Sequence, residues 1–99
     1  MDEEIVGRRL SVHGIVQGVG FRPFVFQLAD RFRLTGEVSN TSSGVIISVE
    51  GRPGDVEGFR QALTASPPPL AHITDIGSTP CPVNGYRRFS IVESTAEAE

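Results

Sequence analysis

The chain of 99 residues contains no lysine, and all nine of its basic residues are arginine. This absence excludes Walker-type nucleotide binding, Schiff-base chemistry and attachment of pyridoxal phosphate, because each of these needs a lysine side chain. A lone cysteine, Cys81, excludes an internal disulfide and favours a reducing compartment, so the expected location is cytoplasmic. No apolar run approaches the roughly 20 residues that span a bilayer, and we expect no membrane partner.

Basic and metal-binding patterns are scarce as well. The formal net charge is −3, and no basic stretch carries interleaved aromatic residues, so we expect no nucleic-acid partner. His13, His72 and Cys81 lie too far apart in sequence to show metal-ligand spacing, and we expect neither a metal nor another cofactor. No carboxylate partner for His13 is evident from the sequence, so we expect it to be a bystander.

Hydrophobic periodicity predicts the secondary structure of the chain. Strands are predicted at 8–15, 37–40, 45–50, 71–78 and 86–92, and helices from Pro23 to about Arg33 and over 55–65. The order is β-α-β-β-α-β with an extra C-terminal strand. Right-handed crossovers then place both helices on one face of a mainly antiparallel sheet, which is the α+β, ferredoxin-like arrangement.

One domain is expected from the length of the chain. We predict a flexible lead-in over residues 1–7, a folded domain over 8–92 and a flexible acidic tail over 93–99.

The segment from Gly14 to Pro23 is the most informative one, because it follows a predicted strand and opens a predicted helix. Glycines at 14, 18 and 20 let backbone N–H groups turn inward without obstruction by a Cβ atom. Arg22 lies near the helix N-terminus, where a cation is unfavourable unless an anion sits beside it. The segment therefore predicts a phosphate site; the alternative is a tight turn with Arg22 in solvent.

Asn40 ends the second predicted strand and precedes the turn from Thr41 to Gly44. Asparagine is common at such positions for backbone reasons alone. If the strand end and the helix start share one rim of the sheet, however, its amide can hold a water molecule there. Thr41, Ser42 and Ser43 could donate to a phosphate, and turn formation explains them equally well.

These residues resemble two motifs of the acylphosphatase family. Gly14-Ile-Val-Gln-Gly-Val-Gly-Phe-Arg22 is similar to the family motif G-x-V-Q-G-V-x-F-R, and Gly36 to Asn40 with Gly44 is similar to a second motif that ends in a catalytic asparagine. The resemblance covers about residues 8–92. Short segments at 22–24, 68–71 and 89–91 are similar to the N-terminal acylphosphatase-like domain of the HypF carbamoyltransferases of NiFe-hydrogenase maturation.

The resemblance implies hydrolysis of a carboxyl–phosphate anhydride to carboxylate and phosphate, without metal or cofactor. Arg22 and Asn40 are the implied catalytic residues: Arg22 clamps the phosphoryl oxygens, and Asn40 places the attacking water. The implied phosphate-binding residues are Val16, Gln17, Gly18, Val19, Gly20, Phe21 and Arg22, mainly through their backbone N–H groups.

The HypF likeness implies carbamoyl phosphate as substrate, carbamate as product and a place in a longer multidomain chain. The implied partners are the other domains of that chain and hydrogenase maturation proteins. Glu37 and Ser39 stand where the family usually has an aromatic and often a basic residue. They keep an alternative open, a non-catalytic domain that binds or docks carbamoyl phosphate.

Overall fold

The computed structural model describes residues 4–92, which form a five-stranded mixed sheet with two helices packed on one face. The elements in chain order are β1 (Val6–Ile15), α1 (Phe21–Arg31), β2 (Thr35–Asn40), β3 (Gly44–Gly51), α2 (Pro53–Ala65), β4 (His72–Cys81) and β5 (Phe89–Ile91). This order confirms the predicted β-α-β-β-α-β arrangement with an extra C-terminal strand.

The strands lie in the order β4-β1-β3-β2-β5. Neighbours are antiparallel except β2 and β5, which run parallel, so the prediction of a mainly antiparallel sheet is confirmed. β1 lies between β3 and β4 and pairs with β3 from Val6 opposite Gly51 to His13 opposite Gly44. The chain leaves this internal strand directly into the glycine-rich segment, so that segment starts from a fixed point.

Several predicted boundaries were wrong. β1 begins at Val6 rather than Arg8, because Val6 and Gly7 pair with β3, so these two residues are not part of a flexible lead-in. β4 continues through Pro80 to Cys81, where a loop was predicted, and proline is tolerated there because β4 is an edge strand. β5 is only three residues long. Of the predicted flexible ends, residues 1–3 and 93–99 lie outside the described residues.

The core fills the layer between the sheet and the helices. Apolar residues at helical spacing on α1 and α2 meet alternate residues of β1, β2 and β3. The buried side chains are Phe21, Val25, Leu28 and Ala29 on α1, Val56, Phe59 and Leu63 on α2, and Leu10, Val12, Val38, Val45, Ile47 and Val49 on the strands. Each large side chain contributes about 1.5–3 kcal/mol when fully buried, so α1 is held firmly against the sheet.

The C-terminal end of α1 differs from the prediction, which carried the helix to about Arg33. The helix ends at Arg31, and the left-handed residue is Arg33, with φ of 60°. Leu34 N–H then donates to the Ala29 carbonyl at 2.8 Å, which closes the helix end. Gly36 lies inside β2, paired with Val49 and with Phe89.

The connection between β4 and β5 covers one end of the open sheet face. Glu50 of β3 points to that face and is only 4% exposed. Its carboxylate accepts hydrogen bonds from the backbone N–H groups of Asn84, Gly85 and Tyr86, the last two at 3.1 and 3.2 Å. A charged side chain is therefore buried on a face where strand alternation alone predicts exposure.

Within residues 4–92, neither helix combines the length and the apolar character that crossing a membrane requires.

Candidate active site

The glycine-rich loop between β1 and α1 curls through two left-handed residues. Gly18 has φ of 71° and Gly20 has φ of 81°, with Val19 between them. A Cβ atom built at either glycine would meet nothing within 4 Å, so the backbone dihedral rather than lack of space favours glycine here. Alternation of this kind turns successive N–H groups towards one side and forms a concave anion-binding surface.

The N–H groups of this loop are not used inside the fold. Across the described stretch 4–92, no backbone N–H from Gln17 to Arg22 donates a hydrogen bond to another residue, and the first that does is Phe24, to the Gly20 carbonyl at 3.3 Å. α1 has no side-chain cap on Gly20 and no acidic residue in its first turn. Its N-terminal dipole and donors are thus left for an external anion.

Apolar side chains of the glycine-rich loop pack into the core and hold the loop in place. Val16 and Phe21 are each 1% exposed, and Val19 packs against the same core. The Phe21 ring lies 5.7 Å from the ring of Phe24, centroid to centroid. The side chains of Val16, Val19 and Phe21 face the core. These three residues therefore present only their backbone groups to a ligand.

Arg22 is the second residue of α1 and is half-buried. Within the part of the chain that the structure describes, its guanidinium forms no ion pair and no hydrogen bond. A cation at this end of a helix opposes the dipole, and a bound phosphate would reverse that balance.

Asn40 ends β2 on the helix-covered face of the sheet. Side chains alternate along a strand, so Asn40 shares its face with the fully buried Val38 two residues earlier. The Oδ1 atom of Asn40 is buried. Its amide therefore lies in the layer in which α1 begins, and a water-holding role for it stays a prediction.

The side chain of Gln17 joins the loop to the turn that follows Asn40. Its Nε2 atom donates to the carbonyl oxygen of Thr41 at 2.6 Å and to that of Gly44 at 2.8 Å. From the sequence, Gln17 was expected to act mainly through its backbone N–H group, and this side-chain contact was not predicted. A long amide side chain inside an otherwise small and apolar loop was the available signal.

The turn between β2 and β3 is built by Thr41. Its N–H donates to the Gly44 carbonyl at 2.9 Å, and its Oγ1 accepts from the N–H of Gly44 at 3.1 Å and of Ser43 at 3.3 Å. The Thr41 hydroxyl oxygen thus supports the formation of the turn. A cavity of about 200 Å³ opens between this turn and residues 14–17.

Gly14 does not belong to the concave loop, contrary to the expectation for three co-operating glycines. It lies in β1 at a register shift against β4, and a Cβ atom there would approach the His72 carbonyl oxygen to 2.1 Å. Gly14 is needed for close approach of two strands.

His13 has a carboxylate partner that the sequence analysis did not find. Its Nδ1 lies 3.5 Å from Oδ2 of Asp75, which strand pairing places directly opposite. His13 alternates with the buried Val12, so it lies on the open face of the sheet, away from Asn40. The pair therefore does not join the loop.

The remaining candidate ligands stay apart. His72 is the exposed first residue of β4, and Cys81 ends the same strand half-buried. Among the residues that the structure describes, no three His, Cys, Asp or Glu side chains come close enough to hold a metal ion. The expectation of a metal-free reaction stays a prediction.

Comparison with known proteins shows which family the domain is similar to. Residues 8–91 match the family model for acylphosphatases. Carbamoyltransferase HypF of Rhizobium leguminosarum bv. viciae is 49% identical over 86 residues, 87% of this chain and 11% of that protein. The acylphosphatase of Bacillus subtilis (strain 168) is 42% identical over 88 residues, 87% of this chain and 96% of that enzyme.

The fold agrees with these matches. A crystal structure of full-length HypF in its phosphate- and nucleotide-bound form superposes with a TM-score of 0.92 and 41% identity, covering 96% of this chain and 13% of that one. The chain spans 11% of the HypF relative of Rhizobium leguminosarum. In sequence and in structure, the chain belongs to the acylphosphatase family of hydrolases.

Proposed function

We propose that this chain hydrolyses acyl phosphates to a carboxylate and inorganic phosphate. The observation that carries the proposal is the run of uncommitted N–H groups from Gln17 to Arg22 at the N-terminus of α1. A helix N-terminus and a left-handed glycine loop each favour a phosphate oxyanion, and here the two are continuous. Family membership and the likeness to named acylphosphatases support the same reaction.

In the proposed reaction the loop holds the phosphoryl oxygens, and Arg22 binds two of them. Asn40 orients a water molecule for in-line attack on phosphorus. The water oxygen forms the new P–O bond, the bond to the acyl oxygen breaks, and the carboxylate leaves with the electron pair while a proton passes to solvent. Positioning and charge stabilisation are what a protein can supply to phosphoryl transfer, and this arrangement offers both.

A strong general acid is unnecessary, because a carboxylate is a good leaving group. The one His–Asp pair in residues 4–92, His13 with Asp75, lies on the other sheet face. The proposed mechanism therefore rests on Arg22, Asn40 and the backbone.

Carbamoyl phosphate is the substrate that we propose, with carbamate as the product. The support is the likeness to carbamoyltransferase HypF of Rhizobium leguminosarum, of which this chain corresponds to 11%. A role in hydrogenase maturation, contacts with other domains of a longer chain and the reducing, cytoplasmic location remain predictions.

The alternative is a domain that binds carbamoyl phosphate without hydrolysing it. Glu37 and Ser39, which depart from the family pattern, lie on the open face of β2, because they alternate with the core residue Val38. Since Asn40 lies on the opposite face, the two substitutions do not contact the loop directly, which favours the catalytic proposal.

Hydrolysis of benzoyl phosphate, followed by absorbance, tests the proposal with two variants. Arg22→Ala should abolish turnover and should weaken the binding of inorganic phosphate, measured by calorimetric titration, about a hundredfold or more, since two charge-assisted hydrogen bonds are lost. Asn40→Ala should keep phosphate affinity and lower kcat about a hundredfold, because only the water is misplaced.

Matched controls are Arg9→Ala on the open face and Asn84→Ala in the β4–β5 connection, both exposed and both expected to keep wild-type rates. Wild-type protein that binds phosphate but gives no rate above buffer would support the binding domain instead. Wild-type turnover in Asn40→Ala would remove Asn40 from the mechanism.

A further inference from the structure

The side chain of Gln17 bridges the two halves of the site, and both hydrogens of its amide are committed. The donor, Nε2, reaches two carbonyl oxygens, at 2.6 Å on Thr41 and 2.8 Å on Gly44, across 24 and 27 residues of sequence. The Thr41 carbonyl belongs to the turn after β2, and the Gly44 carbonyl to the first residue of β3. The backbone N–H of Gln17 belongs to the glycine-rich loop that is proposed to bind phosphate.

The bridge contacts the peptide unit between Thr41 and Ser42, one residue beyond Asn40. On its N-terminal side Asn40 is held by the β2–β3 ladder, in which it lies opposite Val45. On its C-terminal side the chain enters the turn, whose first carbonyl is that of Thr41. With Thr41 O bonded to Gln17, the Asn40 backbone is constrained from both sides.

We infer that Gln17 is a positioning residue that sets the Asn40 amide relative to the phosphate loop. This inference rests on the proposed function, because it assigns Asn40 a water to orient. Displacement of a reacting group by about 1 Å can cost about a hundredfold in rate, so a bridge of two short hydrogen bonds is enough to matter. The requirement is for an amide donor, since a carboxylate at this position would face two carbonyl oxygens and repel them.

The test is Gln17→Met, which keeps the length of the side chain and removes both donors. We expect kcat for benzoyl phosphate to fall about 10- to 100-fold, while the inhibition constant for inorganic phosphate changes by less than about twofold. Gln27→Met is the matched control, because Gln27 is exposed on α1 and makes no hydrogen bond among the described residues. It should keep wild-type kinetics.

A double-mutant cycle separates positioning from general stability. If Gln17 acts through Asn40, Gln17→Met should cause no further loss of kcat in an Asn40→Ala background. Amide resonances of residues 40–44 should also shift in Gln17→Met and stay in place in Gln27→Met. If Gln17→Met fails to fold, Gln17→Asn takes its place, because it stays polar but is too short to reach both carbonyls.

The outcomes are distinct. An active wild-type protein with unchanged kcat in the folded Gln17 variant would overturn the role of Gln17 and leave the proposed function standing. The role of Gln17 would also be overturned if Gln17→Met lowered kcat by the same factor in the Asn40→Ala background as in the wild-type background. An equal loss of phosphate affinity and kcat would place Gln17 in phosphate binding and also overturn the inference. An inactive wild-type protein would overturn both proposals.

Discussion

Glu50 and the loop before Arg22 show two different environments for successive backbone N–H groups in this protein. The carboxylate of Glu50 is buried and accepts hydrogen bonds from three successive backbone N–H groups at residues 84–86, so the pairing is internal to the fold. The loop before Arg22 presents N–H groups of the same kind with no acidic residue in the first turn of α1. At residues 84–86 the anion is a side chain of the protein itself, so the contact is structural. At the loop the proposed anion is an external ligand.

Glu50→Gln should destabilise the fold by about 1–3 kcal/mol, because an amide NH₂ would replace one of the oxygens that accept buried N–H groups. Urea unfolding measures the change. Glu37→Gln is the matched control, since Glu37 is half-buried on the neighbouring strand and makes no hydrogen bond among residues 4–92; it should stay within about 0.5 kcal/mol of wild type. Equal stability of both variants would show that the three contacts contribute nothing.

Helix α1 begins at the proposed phosphate site and ends next to a residue in a strained conformation. Its first turn offers donors to an anion, and its last turn leads into Arg33, which adopts a left-handed conformation that favours glycine. Both ends are held in place by the buried residues between them, Val25, Leu28 and Ala29. Packing of the middle of α1 against the core thus stabilises the helix even though the backbone at each of its ends is locally unfavourable.

Arg33→Gly should therefore be neutral or stabilising by up to about 1 kcal/mol, because relief of the left-handed conformation offsets the entropy of glycine in the unfolded chain. Gln27→Gly, on an exposed position inside the same helix, should destabilise by about 1 kcal/mol. Urea midpoints compare the two. A loss of stability in Arg33→Gly equal to that in Gln27→Gly would contradict the interpretation of the helix end.

The whole molecule is arranged around β1, which lies between two strands and under the helices and leads directly into the glycine-rich loop. A phosphate held by that loop, as proposed, would lie between the N-terminus of α1 and the turn after β2. Binding of an anion should thus stabilise the domain as a unit.

Inorganic phosphate should raise the unfolding temperature. At a phosphate concentration of 100 times Kd the gain is about 2.7 kcal/mol, which corresponds to about 10 °C or more for a domain of this size. Calorimetry with phosphate, and with chloride at equal ionic strength, measures the specific part. Arg22→Ala should lose most of the shift; a shift that survives in this variant would indicate binding elsewhere.

Local sequence patterns were sufficient to predict most of the helices and strands and the glycine-rich loop. Leu10 and Val12 predicted β1, and the spacing of Val25, Leu28 and Ala29 predicted α1, because alternation and helical periodicity act over a few residues. The left-handed turns at Gly18 and Gly20 were foreseeable for the same reason.

Other features were not foreseeable from local patterns. Pro80 lies inside a strand because β4 is at an edge. The chain turns at Arg33, after α1 has ended at Arg31, because Leu34 must reach the core, being 4% exposed. Asp75 meets His13 only through the register of β4 against β1.

Residue order therefore specified the type and order of the elements, the concave loop and the cation beside it, since each depends on neighbours along the chain. The fold added the contacts across distance: Gln17 with Thr41 and Gly44, 24 and 27 residues apart, and Glu50 with the connection 34 to 36 residues later. These depend on strand register and on the packing of α1, which arise only when the whole sheet has formed.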